Sequence, residues 1–139
     1  MIDYIADTRV NYRTTKTKIT SSASVFEELK EYSTAKQEHF IVCYLDGANN
    51  IIENRVITIG TLNQSLVHPR EVFSPAIEKR AASIILAHNH PSGILQASPE
   101  DKSITKRLVE AGKILGIEVL DHLILVEDGF LSFKNEDLI

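Results

Sequence analysis

Apolar residues recur along this chain at two spacings, one of helices and one of strands, and together they divide it into alternating elements. Ser24-Val-Phe-Glu27 has the spacing of a capping box, and Val25, Phe26, Leu29 and Tyr32 follow at helical intervals, which predicts a helix over about 25–35. Phe40 to Leu45 is rich in β-branched and aromatic residues and ends at Asp46-Gly47. Ile51-Ile52 and Val56 to Ile59 come next, so two antiparallel strands joined by a turn are expected. Pro69 opens a second helix carrying Val72, Phe73, Ala76, Ile77 and Arg80. Ser83-Ile-Ile-Leu-Ala87 is an apolar run of strand length, ending at two histidines.

Ser98-Pro99-Glu-Asp101 is a strong helix start, with a Ser cap, Pro at the first helical position and acids that complement the helix dipole. Ile104, Leu108, Ala111 and Leu115 continue its apolar face, and Gly112 and Gly116 are expected to end it. Ile117 to Val126 reads as a central strand, turned at Asp128-Gly129 into a short strand over 130–133. Residues 1–23, with weak alternation at Val10 and Tyr12, are expected to form an arm or edge strand, and 24–139 one domain. Strands interleaved with about three helices predict an α/β sandwich.

Composition narrows the class. The 139 residues, 43% of them hydrophobic and 24% charged, suit one globular domain. A formal net charge of −4 argues against a general nucleic-acid binder, so direct DNA binding is not expected. The lone Cys43 excludes an internal disulfide and any cysteine-based zinc knuckle, and its apolar neighbours predict a small buried hydrophobe. No leader or apolar run of the ~20 residues needed to span a bilayer is seen, and a cytoplasmic setting is expected.

Candidate chemistry centres on Ala87-His-Asn-His-Pro-Ser-Gly93 and Asp101. Two histidines two apart at a strand end point to one face and can share a metal ion. Asp101, in the first turn of the next helix, adds a hard oxygen ligand and leaves one position for water, the arrangement of a catalytic zinc site. Asn89 points to the opposite face and is expected to hold the loop by hydrogen bonds. Pro91, Ser92 and Gly93 shape that loop, with Ser92 a candidate to support the ligands.

Other HxH classes fit less well. Ser92 stands where the metallo-β-lactamase pattern needs Asp. An amidohydrolase barrel needs roughly 250 residues. The His-Asn-His endonuclease family spreads its three residues along a longer motif. His88-x-His90, seven residues, Ser98, two residues and Asp101 is similar to the JAMM signature of the MPN metalloprotease superfamily. Leu45-Asp46, Gly60-Thr61-Leu62, His68-Pro69-Arg70-Glu71-Val-Phe73, Thr105 and Leu120-Asp-His122 extend the resemblance to its RadC branch, over about residues 24–135.

That resemblance implies an MPN/JAB fold, cytidine deaminase-like, with a mixed sheet sandwiched by helices. It implies Zn2+ held by His88, His90 and Asp101, a serine, Ser98, that stabilises the oxyanion, and a glutamate general base. By position the base is Glu38, before His39-Phe-Ile-Val42, with Glu71 as the alternative. Asp121 and His122 match the family pattern and read as a hydrogen-bonded structural pair. Larger RadC proteins carry an N-terminal helix-hairpin-helix region associated with DNA, which a chain of this length does not hold, so the expectation is the catalytic module alone.

The reading favoured is a zinc-dependent JAMM-type hydrolase acting on a peptide or protein substrate. The alternative is a non-catalytic, metal-stabilised module in DNA repair or mobile-element function. A zinc deaminase is disfavoured by the lack of HxE and PCxxC. Oligomeric state is open, with a dimer allowed, and no membrane association is expected.

Overall fold

The computed structural model describes residues 17–63 and 66–139; the alternation at Val10 and Tyr12 lies outside them. In chain order come α1 (Ser22–Leu29), a 3-10 turn (Lys30–Tyr32), β1 (His39–Leu45), β2 (Ile51–Ile59), α2 (Pro69–Glu78), β3 (Ser83–Asn89), α3 (Pro99–Leu115), β4 (Glu118–Val126) and β5 (Gly129–Ser132). The five strands form one mixed sheet in the order β2-β1-β3-β4-β5. Among the described strands only β3 and β4 are parallel, joined by the crossover through α3; β1 pairs antiparallel with both β2 and β3, and β4 with β5.

Every residue of β3 is buried because helices cover both faces of the sheet. Ile84 and Leu86 pack with Phe40, Val42 and Tyr44 beneath Val72 and Phe73 of α2 and Ile104 and Leu108 of α3. The alternate residues Ile85 and Ala87 join Ile41, Cys43 and Leu125 beneath Val25, Phe26 and Leu29 of α1. Each such large side chain contributes roughly 1.5–3 kcal/mol by leaving water. Tyr44 brings its polar end into this core by donating to the Val72 carbonyl at 2.6 Å. The result is an α/β sandwich with three helices, as the interleaved pattern predicts.

The elements differ from expectation in detail. The cap of α1 is Ser21 rather than Ser24: Ser21 Oγ accepts from Ser24 N, and Ser24 Oγ accepts from Ser21 N, so serine takes the part expected of Glu27. The helix also tightens into the 3-10 turn and stops at Tyr32, short of 35. Ile51–Ile59 is one continuous strand that absorbs two irregularities in its register with β1. Ahead of α1, Lys18 bridges to Asn50 beside the start of β2, and Ile19 donates to Asn49 O.

Gly112 does not end α3; Gly116 does, in the left-handed conformation at φ 73°. Gly112 lies inside the helix for a different reason, close approach. A Cβ there would sit 2.3 Å from the Ile117 carbonyl oxygen and 3.3 Å from the Phe73 ring. Ile77 and Leu115, placed on apolar faces by periodicity, are 57% and 46% exposed, because α2 and α3 turn those edges away from the sheet. Among the described residues no helix is long and apolar enough to cross a membrane.

Candidate metal centre

The histidines stand where β3 leaves the sheet. His88 lies on the α2/α3 side, fully buried, opposite Phe40 of β1. His90 falls just past the last strand residue, yet its N–H still bonds Leu125 O of β4 at 2.9 Å, extending the parallel ladder by one step. Gly93 N–H then bonds His90 O, closing a tight turn through Pro91 and Ser92 that needs the positive φ of 80° at Gly93. Ser92 Oγ accepts from Ile94 N at 3.3 Å, within that loop.

From the other side α3 delivers Asp101 through a reciprocal cap. Ser98 Oγ accepts from Asp101 N at 3.0 Å, and Asp101 Oδ2 accepts from Ser98 N at 2.8 Å. The cap does two things at once: it starts the helix and orients the carboxylate toward β3.

His88, His90 and Asp101 thereby converge. His88 Nε2 lies 2.9 Å from His90 Nε2 and 3.1 Å from Asp101 Oδ1, and His90 Nε2 lies 3.3 Å from Asp101 Oδ2. A tetrahedral zinc with bonds near 2.0–2.1 Å separates its ligand atoms by about 3.3 Å. The spacing and the two-nitrogen, one-oxygen donor set fit such an ion. The three form a group that could hold a metal. His90 Nδ1 donates to Ile94 O at 2.8 Å, since a carbonyl only accepts, and this leaves the Nε2 lone pair facing the centre.

The electrostatics favour a cation. Burial opposes the charge on Asp101, but with no ion in the site a proton shared with the neighbouring His88 and His90 nitrogens takes a cation's place, outweighs burial and holds the carboxyl well below the ordinary carboxylate range. The same Asp101 contact raises the pKa of His90 against the effect of burial. His122 behaves oppositely: burial, the largest cause, pushes it well below the usual histidine value, which favours a neutral ring.

Glu38 enters from the turn before β1. It lines a cavity of about 260 Å3 together with Thr61, His90, Ser92, Ser98 and Asp101. Its Oε1 accepts from Leu62 N at 2.7 Å, and its backbone carbonyl accepts from Gly60 N at 2.8 Å, so the Gly60-Thr61-Leu62 segment sets its position. Glu71 is elsewhere. It occupies the first turn of α2, exposed and 3.7 Å from Arg70, and does not line this cavity.

Asn89, on the opposite face, accepts from His39 N and donates to the carbonyls of Ala35 and Gln37. Asp121 is a structural anchor: it accepts from His122 N, Ser132 Oγ and Lys134 N, tying β4 to β5 and the chain after it. His122 does not pair with it through its ring, which instead meets His88 and Thr105. Sequence reasoning missed the backbone partners Leu62 N and Ile94 O, since every residue carries these groups and only the fold selects one. His39 contacts Gln37 O through Nδ1, and His68 caps α2 without a side-chain bond.

The profile of the RadC-like JAB domain matches residues 19–138. The chain belongs to the RadC-like JAB domain family. Curated relatives named UPF0758 protein are similar: one from Methanococcoides burtonii is 50% identical over 125 residues, covering 89% of this chain and 55% of its own length. Another from Rubrobacter xylanophilus is 54% identical over 103 residues, 74% of this chain and 45% of the relative. One from Enterococcus faecalis is 46% identical over 121 residues, 86% of this chain and 52% of the relative. This RadC-like JAB chain thus spans about half the length of the curated relatives it matches, and the five-stranded mixed sheet with three helices is its JAB/MPN fold.

Proposed function

We propose that this RadC-like JAB chain is a zinc-dependent hydrolase of the JAMM type, acting on a peptide or isopeptide bond in a peptide or protein substrate. The observation that carries the reading is the single cavity lined by Glu38, His90, Ser98 and Asp101 together. When bound, zinc would supply Lewis acidity and a water of lowered pKa. His88, His90 and Asp101 would hold it.

The protein's own groups have separable tasks. Glu38, anchored through one carboxylate oxygen by Leu62 N, keeps the other oxygen to take a proton from water and return it to the leaving amine. Ser98 Oγ accepts from Asp101 N, and among the described residues no hydrogen bond uses its proton, which is free to stabilise a developing oxyanion. Burial of His88 and Asp101 keeps competing water away from the ligand side of the cavity.

Metal analysis and a fluorogenic peptide library test the proposal. The parent protein should carry about one zinc and release fluorophore; Glu38→Gln should keep the zinc and lose turnover, whereas Glu71→Gln should keep both. A parent with no zinc after incubation with the ion, or loss of turnover in Glu71→Gln with Glu38→Gln unaffected, would overturn the reading.

A further inference from the structure

His88 differs from His90 in how its second ring nitrogen is satisfied. His90 Nδ1 meets a carbonyl, Ile94 O, which can only accept, so the tautomer is settled by one contact. His88 Nδ1 meets another imidazole, His122 Nε2, at 2.8 Å in the buried interior. An imidazole nitrogen donates or accepts according to its own tautomer, so this contact alone leaves His88 undetermined.

The next link removes the ambiguity. His122 Nδ1 lies 2.5 Å from Thr105 Oγ1, and Thr105 Oγ1 lies 2.7 Å from the backbone carbonyl of Asp101, one helical turn earlier. Thr105 has one hydroxyl proton and the carbonyl cannot donate, so that proton goes to Asp101 O. Oγ1 must therefore accept from His122 Nδ1–H. His122 Nε2 is left with its lone pair, which accepts from His88 Nδ1–H, and His88 Nε2 faces Asp101 and His90 unprotonated. Phe133, stacked on the His122 ring at 4.6 Å, and Phe40, edge-on at 5.8 Å, hold the ring plane in which both bonds are made.

We infer that Thr105 and His122 are positioning residues that fix His88 as the Nδ1–H tautomer and so set its Nε2 as a metal ligand. The chain of bonds begins at one ligand's ring and ends on the backbone of another, Asp101, so the helix start that presents the carboxylate also terminates the relay. This rests on the metal-centre reading above and adds to it two residues that touch no ion. A metal-bound histidine usually donates its second N–H to a carboxylate, a backbone carbonyl or water; here the Nε2 of His122 accepts it, and a hydroxyl of fixed direction sets that ring.

The test uses the full chain with 15N-labelled histidine rings and Zn2+ alone as probe. Long-range 1H–15N spectra of the Zn2+-bound parent should show His88 and His122 as Nδ1–H. Chelator competition should show Thr105→Val, which keeps the side-chain shape but lacks the hydroxyl, binding Zn2+ about 10-fold more weakly. Thr105→Ser should restore the parent affinity. If Thr105→Val does not fold, the parent spectrum still decides: a proton on Nε2 of His122 overturns the relay. Equal Zn2+ affinity in Thr105→Val and parent, with unchanged tautomers, overturns it also. A parent that takes up no Zn2+ overturns the metal-centre reading and this inference with it, an outcome distinct from the other two.

Discussion

Asn89 holds Glu38 from behind without touching its side chain. Its Oδ1 accepts from the N–H of His39 at 2.7 Å and its Nδ2 donates to the carbonyl of Gln37 at 3.0 Å, so the residues on either side of Glu38 are bound to the strand that carries the histidines. Strand alternation makes this possible, because His88 and Asn89 serve opposite faces of β3: one faces the candidate metal centre and the other the turn before β1. The proposed base and the ligands are thus referenced to a single pair of adjacent residues.

Replacing Asn89 should separate these two functions. Asn89→Ala leaves a partly buried N–H and two carbonyls without their partner, a cost of about 1–3 kcal/mol in chemical denaturation. Zinc affinity should remain near that of the parent, while turnover falls, because the ligands stay in place and Glu38 does not. Equal losses of zinc and turnover would contradict this division of roles.

Ser98 has a cap role and a proposed oxyanion role, and glycine distinguishes them. Ser98→Ala removes the cap acceptor and should cost about 1 kcal/mol, whereas Ser98→Gly, a tolerated cap, should cost only a few tenths. Both lack the hydroxyl proton, so both should lower kcat on the order of 10²- to 10³-fold. Urea midpoints and kcat measured on the two variants check this; a glycine variant with parent-like kcat would remove Ser98 from the oxyanion role.

Gly112→Ala places helix propensity against packing. Alanine gains about 1 kcal/mol over glycine in a helix interior. Here its Cβ would stand 2.3 Å from Ile117 O, a backbone atom that cannot move without disturbing the helix exit, and against Phe73. Packing wins, and the variant should be less stable by about 1–3 kcal/mol in urea unfolding. A stabilised Gly112→Ala would show that the α3 to β4 junction yields easily.

Cys43 makes stability fall in alkali. Burial, with the charge of Glu28 adding to it, pushes the thiol from its ordinary 9.0 up to about 12. Below pH 9 the thiol is protonated in both states and its burial contributes fully. Above that the unfolded chain releases the proton first, so folded stability declines as pH rises from 9 through about 12. A Cys43→Ala variant should show a shallower alkaline loss in denaturant titrations, and the native parent should resist thiol reagents at pH 8 until unfolded.

Much of this protein was legible from one dimension. The strand and helix order followed from apolar spacing, since burying one face requires that spacing whatever the partner is. The ligands His88, His90 and Asp101 and the serine cap could be proposed because their chemistry sits within fourteen residues, in a local strand-turn-helix unit. Local rules also misled. Gly112 looked like a stop signal when its small size answers a distant carbonyl, and the capping box at Ser24 lies three residues earlier because serine can play both parts.

What tertiary structure decided are the relations between segments far apart in sequence. Glu38 rather than Glu71 lines the cavity because β1 lies beside β3 in the sheet, while α2 presents Glu71 to solvent. Asn89 reaches back fifty residues, and His122 meets His88 because β3 and β4 are parallel neighbours, with Thr105 placed above them by the crossover helix. The sequence by itself determined which groups exist and how each element buries its apolar face. Which donor meets which acceptor was decided only when the strands aligned, because a hydrogen bond is made within about 3 Å and periodicity carries no information about distance across the sheet.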